Sequence, residues 1–332
     1  MRFPLSLQLS LTSYLLKNKI SGREKFPMVL MLEPTHACNL ECKGCGRILE
    51  YKDTLGASLS LEECLRAVDE CGAPVVSITG GEPLIYPQIG ELTAEILKRK
   101  KHIYLCTNGT LLEKSLPKFK PTPQLNFNIS LDGMEKNHDA ISAKPGVFRQ
   151  AIEGIKAAKK KGFRVCTNTS IYKETDMEEV AELFALLHSI DIDGILVAPA
   201  FDYEDVEDKI FLQREAIHER FRRIWELSSR YKLQSTPLYL RFCMGERELQ
   251  CTPWGNPTRN PQGWKSPCYL ITDGHYPTYR ELMEKTDWSK YGVGNDPRCA
   301  NCMMHCGFEP TVVREVGKRF SDLWEMIVWN MK

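Results

Sequence analysis

The chain has 332 residues, with 44 Lys+Arg against 43 Asp+Glu, a formal charge of +1, and 42% hydrophobic residues. That balance leaves no basic footprint for nucleic acid, is too apolar for a disordered polymer, and includes no run of about 18 apolar residues able to span a membrane. Thirteen cysteines, several tightly clustered, fall short of the roughly 8–10% of a disulfide-stapled scaffold and point instead to metal ligands or reactive thiols.

In chain order, residues 1–27 form an amphipathic segment. Leu5, Leu7, Leu9, Leu11, Leu15 and Leu16 are interrupted by Gln8, Ser10, Thr12 and Ser13, and Lys17, Lys19, Arg23 and Lys25 follow. A signal peptide carries its charge before its apolar part, so a cytoplasmic protein is expected. The segment either packs on the fold as a lid or makes peripheral contact with the inner face of the membrane. From 28 to 240, short strands rich in Val, Ile and Leu (Val29–Glu33, Val75–Ile78, Ile103–Cys106, Leu125–Ser130, Phe163–Thr169, Gly194–Ala198) alternate with helical patterns (Leu61–Cys71, Gln88–Lys100, Val147–Lys161, Met177–Ile190, Leu212–Tyr231, and more weakly Thr110–Phe119). Such alternation predicts an α/β fold with a parallel sheet, either doubly wound or an incomplete barrel. Residues 241–332 are dense in Gly and Pro and read as a loop-rich, cysteine-containing C-terminal accessory region.

In either architecture ligands gather at the C-terminal ends of the strands, and the unusual residues fall there. The first strand leads into Cys38, Cys42 and Cys45, spaced Cx3Cx2C. Three thiolates at this spacing suit three irons of a [4Fe–4S] cluster and leave the fourth open for a small molecule; the alternative is a zinc loop with a borrowed fourth ligand. The second strand leads into Gly80-Gly81-Glu82-Pro83, where the Gly pair lets the backbone approach a ligand and Glu82 can accept from an ammonium group. Asn108, Ser130, Asp132 and Asn168 end later strands; as Asn, Asp and Ser they equally suit turn caps. In the tail, Cys299, Cys302 and Cys306, with Cys268 as a fourth, are a candidate second metal site or a packed, reduced cluster. Cys243 and Cys251 are left undecided.

Together, Cx3Cx2C and GGEP one strand later resemble the radical S-adenosylmethionine (SAM) superfamily over roughly residues 28–240. The resemblance implies a partial (β/α)6 barrel. It also implies a [4Fe–4S] cluster on Cys38, Cys42 and Cys45, and SAM held by Gly80, Gly81 and Glu82, with Asn108, Ser130, Asp132 and Asn168 as further contacts. Reductive cleavage of SAM would yield a 5′-deoxyadenosyl radical, fed by a reductant such as flavodoxin or ferredoxin. Beyond these motifs, Val29-Leu30-Met31-Leu32-Glu33-Pro34, Cys251-Thr252-Pro253-Trp254-Gly255-Asn256-Pro257, Pro267-Cys268-Tyr269-Leu270 and His305-Cys306-Gly307-Phe308-Glu309 are similar to the adenosylhopane synthase family of hopanoid biosynthesis. This implies addition of the radical to the alkene of the triterpene diploptene (a hopene), with Cys106 as hydrogen-atom donor and Cys166 as its rival. The competing expectations are another alkene or isoprenoid, a peptide substrate, or a metal-binding module without turnover.

Overall fold

A computed structural model describes residues 2–204, 206 and 210–331. Strands β1 (Val29–Leu32), β2 (Val75–Ile78), β3 (His102–Thr107), β4 (Leu125–Ser130), β5 (Arg164–Ile171) and β6 (Gly194–Pro199) are mutually parallel and each lies beside the next. The order has no reversal, which rules out the doubly wound alternative, since that fold needs a switch point. With β6 and β9 at the two edges of the sheet, the barrel stays open.

The region after 240 is more regular than its Gly and Pro density suggests. Strand β7 (Thr258–Asn260) pairs parallel with β1, and β8 (Gly263–Pro267) and β9 (Thr272–Tyr276) continue antiparallel, making one nine-stranded sheet. Helices Pro237–Cys243, Tyr279–Lys285, His305–Glu315 and Phe320–Met331 complete it.

Strand alternation sorts the side chains. Leu30, Leu32, Val76, Ile78, Ile103, Leu105, Phe127, Ile129 and Val165 are fully buried in a core shared with Leu61–Cys71, Ile89–Lys98, Val147–Lys160 and Met177–Ser189. The first of these helices starts on a capping box, with Ser60 and Glu63 bonding each other's backbone N–H. The alternate positions point inward, and Tyr104, Cys106, Asn108, Ser130, Asn168 and Leu196 remain partly exposed. A filled barrel would pack such positions shut; here they line an open bore.

The N-terminal helix Leu5–Ile20 lies across the N-terminal end of the strands. Arg2 donates to Leu233 O at 2.7 Å, and Leu233 bridges Ile195 near the start of β6. His102, the first residue of β3, meets the Ser6 backbone. The helix therefore sits opposite the cysteine loop and is not a lid over it. It also meets the C-terminal helix: Arg2 Nε donates to Trp329 O at 2.9 Å, with its guanidinium 4.2 Å over the Trp329 ring.

Candidate functional site

The cysteine loop is pinned by the turn after β2. Gly81 N donates to Thr35 O at 3.1 Å and Glu82 N to Ala37 O at 2.7 Å. A Cβ on Gly81 would lie 2.0 Å from Ala37 O, and one on Gly80, at φ +113°, would lie 2.5 Å from Thr35 O. The close approach that demands this Gly pair is thus to the backbone leading into Cys38. Burial first, then Glu82 and Cys45 among its neighbours, pushes the Cys38 thiol up to about 11; burial, then Cys45 and Cys38, takes Cys42 up to about 12. The three thiols are neighbours, yet no trio of His, Cys, Asp or Glu among the described residues forms a single-ion site.

Glu82 is buried, and its carboxylate is held from three directions. Oε1 accepts from Thr107 Oγ1 at 2.7 Å and Leu84 N at 2.9 Å; Oε2 accepts from Asn108 N at 2.9 Å. Burial nevertheless outweighs these bonds and pushes the carboxyl up to about 7, an environment that a bound cation would relieve. Asn108 is spent on the scaffold: its Nδ2 donates to Asn39 Oδ1 at 2.9 Å, and its Oδ1 accepts from Thr110 N and Oγ1. It ties the end of β3 to the cysteine loop. Ser130 and Asn168 stand in register across β4 and β5, facing the bore, and Asn168 Oδ1 is buried without a partner. Asp132 accepts from Ser170 N at 2.7 Å, and burial raises its carboxyl to about 6.

Deeper in the bore, Cys106 Sγ lies 3.4 Å from Ser77 Oγ and 3.6 Å from Asn128 Nδ2. Burial holds this thiol above its ordinary value. Cys166, two strands further on across Asn128, is fully buried, so of the two only Cys106 opens to the bore.

Sequence reasoning missed the wall beside it. Glu33 and Arg47 form a buried ion pair at 2.6 Å. Arg47 also donates to Tyr51 OH at 2.9 Å and Tyr269 O at 2.6 Å, and stacks 3.8 Å over the Tyr269 ring. Tyr269 OH meets Thr79 Oγ1 at 3.2 Å, and Lys265, wholly buried, donates to Glu50 at 3.0 Å and Tyr269 O at 3.1 Å. The available signals were Glu33 closing an apolar strand and Arg47 two residues after Cys45. The tail cysteines also gain a member: Cys251 is raised well above its ordinary value by burial and then by Cys302, Cys268, Cys306 and Cys299.

A parallel partial barrel with a cysteine loop after its first strand defines the radical SAM fold, and the comparisons agree. Residues 32–187 match the radical SAM superfamily, and residues 195–326 match a domain of unknown function, DUF3463. The antilisterial bacteriocin subtilosin biosynthesis protein AlbA of Bacillus subtilis is 32% identical over 196 residues, 57% of this chain and 42% of that protein. The AdoMet-dependent heme synthase of Methanosarcina barkeri is 30% identical over 165 residues, 48% of this chain and 47% of that protein. The chain thus spans under half the length of these curated relatives. Streptococcus suis SuiB bound to precursor peptide SuiA superposes with a TM-score of 0.64 at 17% identity, covering 92% of this chain and 76% of SuiB. The protein anSMEcpe, with bound AdoMet and the Cp18Cys peptide, gives 0.62 at 18%, covering 92% and 99%. At these identities the structures show a shared fold.

The chain therefore has the radical SAM fold, with the DUF3463 match following the radical SAM match along the chain. Enzymes of this superfamily use a [4Fe–4S] cluster and SAM, and require a reductant. No helix among the described residues is long and apolar enough to cross a membrane.

Proposed function

We propose that the enzyme joins the 5′-deoxyadenosyl group of SAM to the terminal alkene of diploptene, giving adenosylhopane. Cys38, Cys42 and Cys45 would hold the cluster, Glu82 the SAM amino group, and Ser130, Asp132 and Asn168 the rest of SAM. Gly80, Gly81 and Asn108 act by shaping the loop. The cofactor pair supplies a 5′-deoxyadenosyl radical, whose addition breaks the alkene π bond, forms a carbon–carbon bond and leaves an unpaired electron on the adjacent carbon. Cys106 then closes the reaction: its S–H bond breaks, a C–H bond forms, and the thiyl left behind is restored by an electron from the external reductant and a proton.

The observation that carries this reading is the Cys106 thiol, partly exposed in the bore between Ser77 and Asn128. The test is anaerobic product analysis with SAM, reductant and diploptene. Cys106→Ala is expected to cleave SAM without giving the saturated adduct, and Cys166→Ala to behave as wild type. An unchanged yield and stereochemistry in Cys106→Ala sinks the assignment.

A peptide substrate is the second reading. The inner wall, with Glu33, Arg47, Ser77 and Asn128, is more polar than a triterpene needs, and both the name of AlbA and the SuiB complex concern peptide chemistry. Stimulation of SAM cleavage by peptide and not by diploptene would favour it. In either case we assign the tail thiols Cys251, Cys268, Cys299, Cys302 and Cys306 to a second iron–sulfur site.

A further inference from the structure

We infer that the two terminal helices form a docking face for an anionic lipid bilayer. On the C-terminal helix, Phe320, Leu323, Trp324, Ile327 and Met331 follow one another at helical spacing and face solvent, with Phe320 81% and Trp324 57% exposed. Its carboxylates point the other way: Asp322 pairs with Arg247 at 2.6 Å and Glu325 with Arg241 at 3.0 Å. A helix that turns its acids inward and its aromatic stripe outward reverses the arrangement of an ordinary surface helix.

The N-terminal helix repeats the pattern. Leu5, Leu9, Leu16 and Ile20 share one exposed face, with Ile20 at 86% exposure, while Leu7 supplies the buried contact. Leu9 and Leu16 border a shallow apolar surface groove together with Lys17. The helix contains no acidic residue. From Lys17 to Lys25 the charged side chains are Lys17, Lys19, Arg23 and Lys25 against Glu24 alone. The start of the first helix is tied to the end of the second where Arg2 N donates to Asn330 O at 3.1 Å and Phe3 N to Asn330 Oδ1 at 2.8 Å.

Aromatic and aliphatic side chains beside a cationic rim are the composition that seats a helix at the boundary between headgroups and acyl chains. A second copy of this chain fits less well, because a two-fold contact sets Lys17, Lys19 and Arg23 against their own counterparts. The docking face lies at the N-terminal end of the strands, opposite the cysteine loop. A docked enzyme would keep its cluster end toward the aqueous phase, where a soluble reductant can reach it. The inference does not depend on which substrate the bore accepts.

The full chain is tested by co-sedimentation with vesicles of phosphatidylcholine alone and of phosphatidylcholine with phosphatidylglycerol. Binding is expected to be stronger on the anionic vesicles and to weaken with salt. Lys17→Ser/Lys19→Ser is expected to lose about 30-fold in affinity, from about a fivefold contribution per cation. Leu9→Ser/Leu16→Ser/Ile20→Ser should lose at least about tenfold, while keeping the wild-type melting temperature because these side chains are exposed. Brominated acyl chains should quench tryptophan emission, less so in Trp324→Ser. Absence of binding to anionic vesicles overturns the inference. So does a solution dimer that the triple serine variant converts to monomer without any effect on vesicle binding.

Discussion

Replacing Arg47 by methionine tests whether the buried charges beside the bore are structural. The guanidinium sits 2.6 Å from a Glu33 carboxylate that has no solvent exposure, and it also bonds Tyr51 OH and Tyr269 O. Arg47→Met keeps most of the side-chain volume but leaves Glu33 with only the Tyr51 hydroxyl, at 3.2 Å. Breaking one half of a buried pair costs about 3–5 kcal/mol. Spread over the unfolding entropy of a chain of this length, that lowers the melting temperature by about 4–7 °C. The loss should be specific: Glu33→Gln in the Arg47→Met background removes the stranded charge and should recover about half or more of it, a coupling on the order of 2–3 kcal/mol. Calorimetry of the four members of this cycle provides the measurement. Because Arg47 lies two residues after Cys45 and grips Tyr269 of the C-terminal region, Arg47→Met should also retain less iron on anaerobic reconstitution, and the double variant should regain part of it. A drop below about 1 kcal/mol in Arg47→Met, or strict additivity across the cycle, would refute the pairing.

Gly81→Ala drives a methyl into the Ala37 carbonyl and should destabilise by about 3 kcal/mol or more with loss of bound iron, whereas Gly56→Ala, with open space around it, should be neutral in both readouts. The Glu82 carboxyl, raised by burial to about 7, binds its proton more tightly folded than unfolded, so its contribution to stability is present at lower pH and is lost as pH rises through about 7. In the proposed role Glu82 holds the SAM amino group as the anion, so SAM affinity should move the opposite way, falling as pH drops from 8 to 6 by about tenfold per unit below the titration; a flat profile by equilibrium dialysis, or the same slope in Glu82→Gln, contradicts the role. In a Cys38→Ala/Cys42→Ala/Cys45→Ala background, Cys251→Ser should remove most of the remaining iron, about four atoms per chain if a second cluster is present; iron unchanged by the substitution would exclude Cys251 as a ligand.

The six barrel strands were legible because a buried parallel strand is a short run of Val, Ile and Leu, and each observed edge lies within two residues of its expected place. The tail was not, for a physical reason. Strands β7 to β9 have three to five residues and exist by pairing with β1 and with one another, a long-range register that carries no local period. The C-terminal helix was hidden by its inverted polarity, since Asp322 and Glu325 find their cations across 75 and 84 residues of chain. At the site, spacing singled out the cysteines and the Gly pair but not the close approach of one loop to the other that the Gly pair permits. Arg47 could not be linked to Glu33 by spacing alone, because neither helix nor strand periodicity joins them.

The protonation of Cys106 bears on the kind of chemistry the bore supports. A nucleophilic cysteine is made reactive by cations or a helix N-terminus that depress its pKa and strip its proton. Cys106 has the reverse surroundings. Burial raises its pKa, the hydrogen bonds from Ser77 and Asn128 only partly offset this, and the one charge among the causes, Glu82, is negative and raises it further. The thiol therefore keeps its hydrogen at neutral pH. A group held in that state is a poor nucleophile and metal ligand but a competent hydrogen-atom donor, because S–H homolysis needs the hydrogen present and no compensating charge. Cys38 and Cys42 differ in having neighbouring thiols among the causes of their raised values, behind burial, and those values would fall once iron supplied the missing positive charge. Cys106 lies on the barrel wall away from the three-cysteine loop, so its proton should survive cluster assembly. Thiol alkylation followed across pH in the reconstituted enzyme should give an apparent pKa for Cys106 above the ordinary cysteine value. A value below about 8 would remove the physical basis for its role as donor.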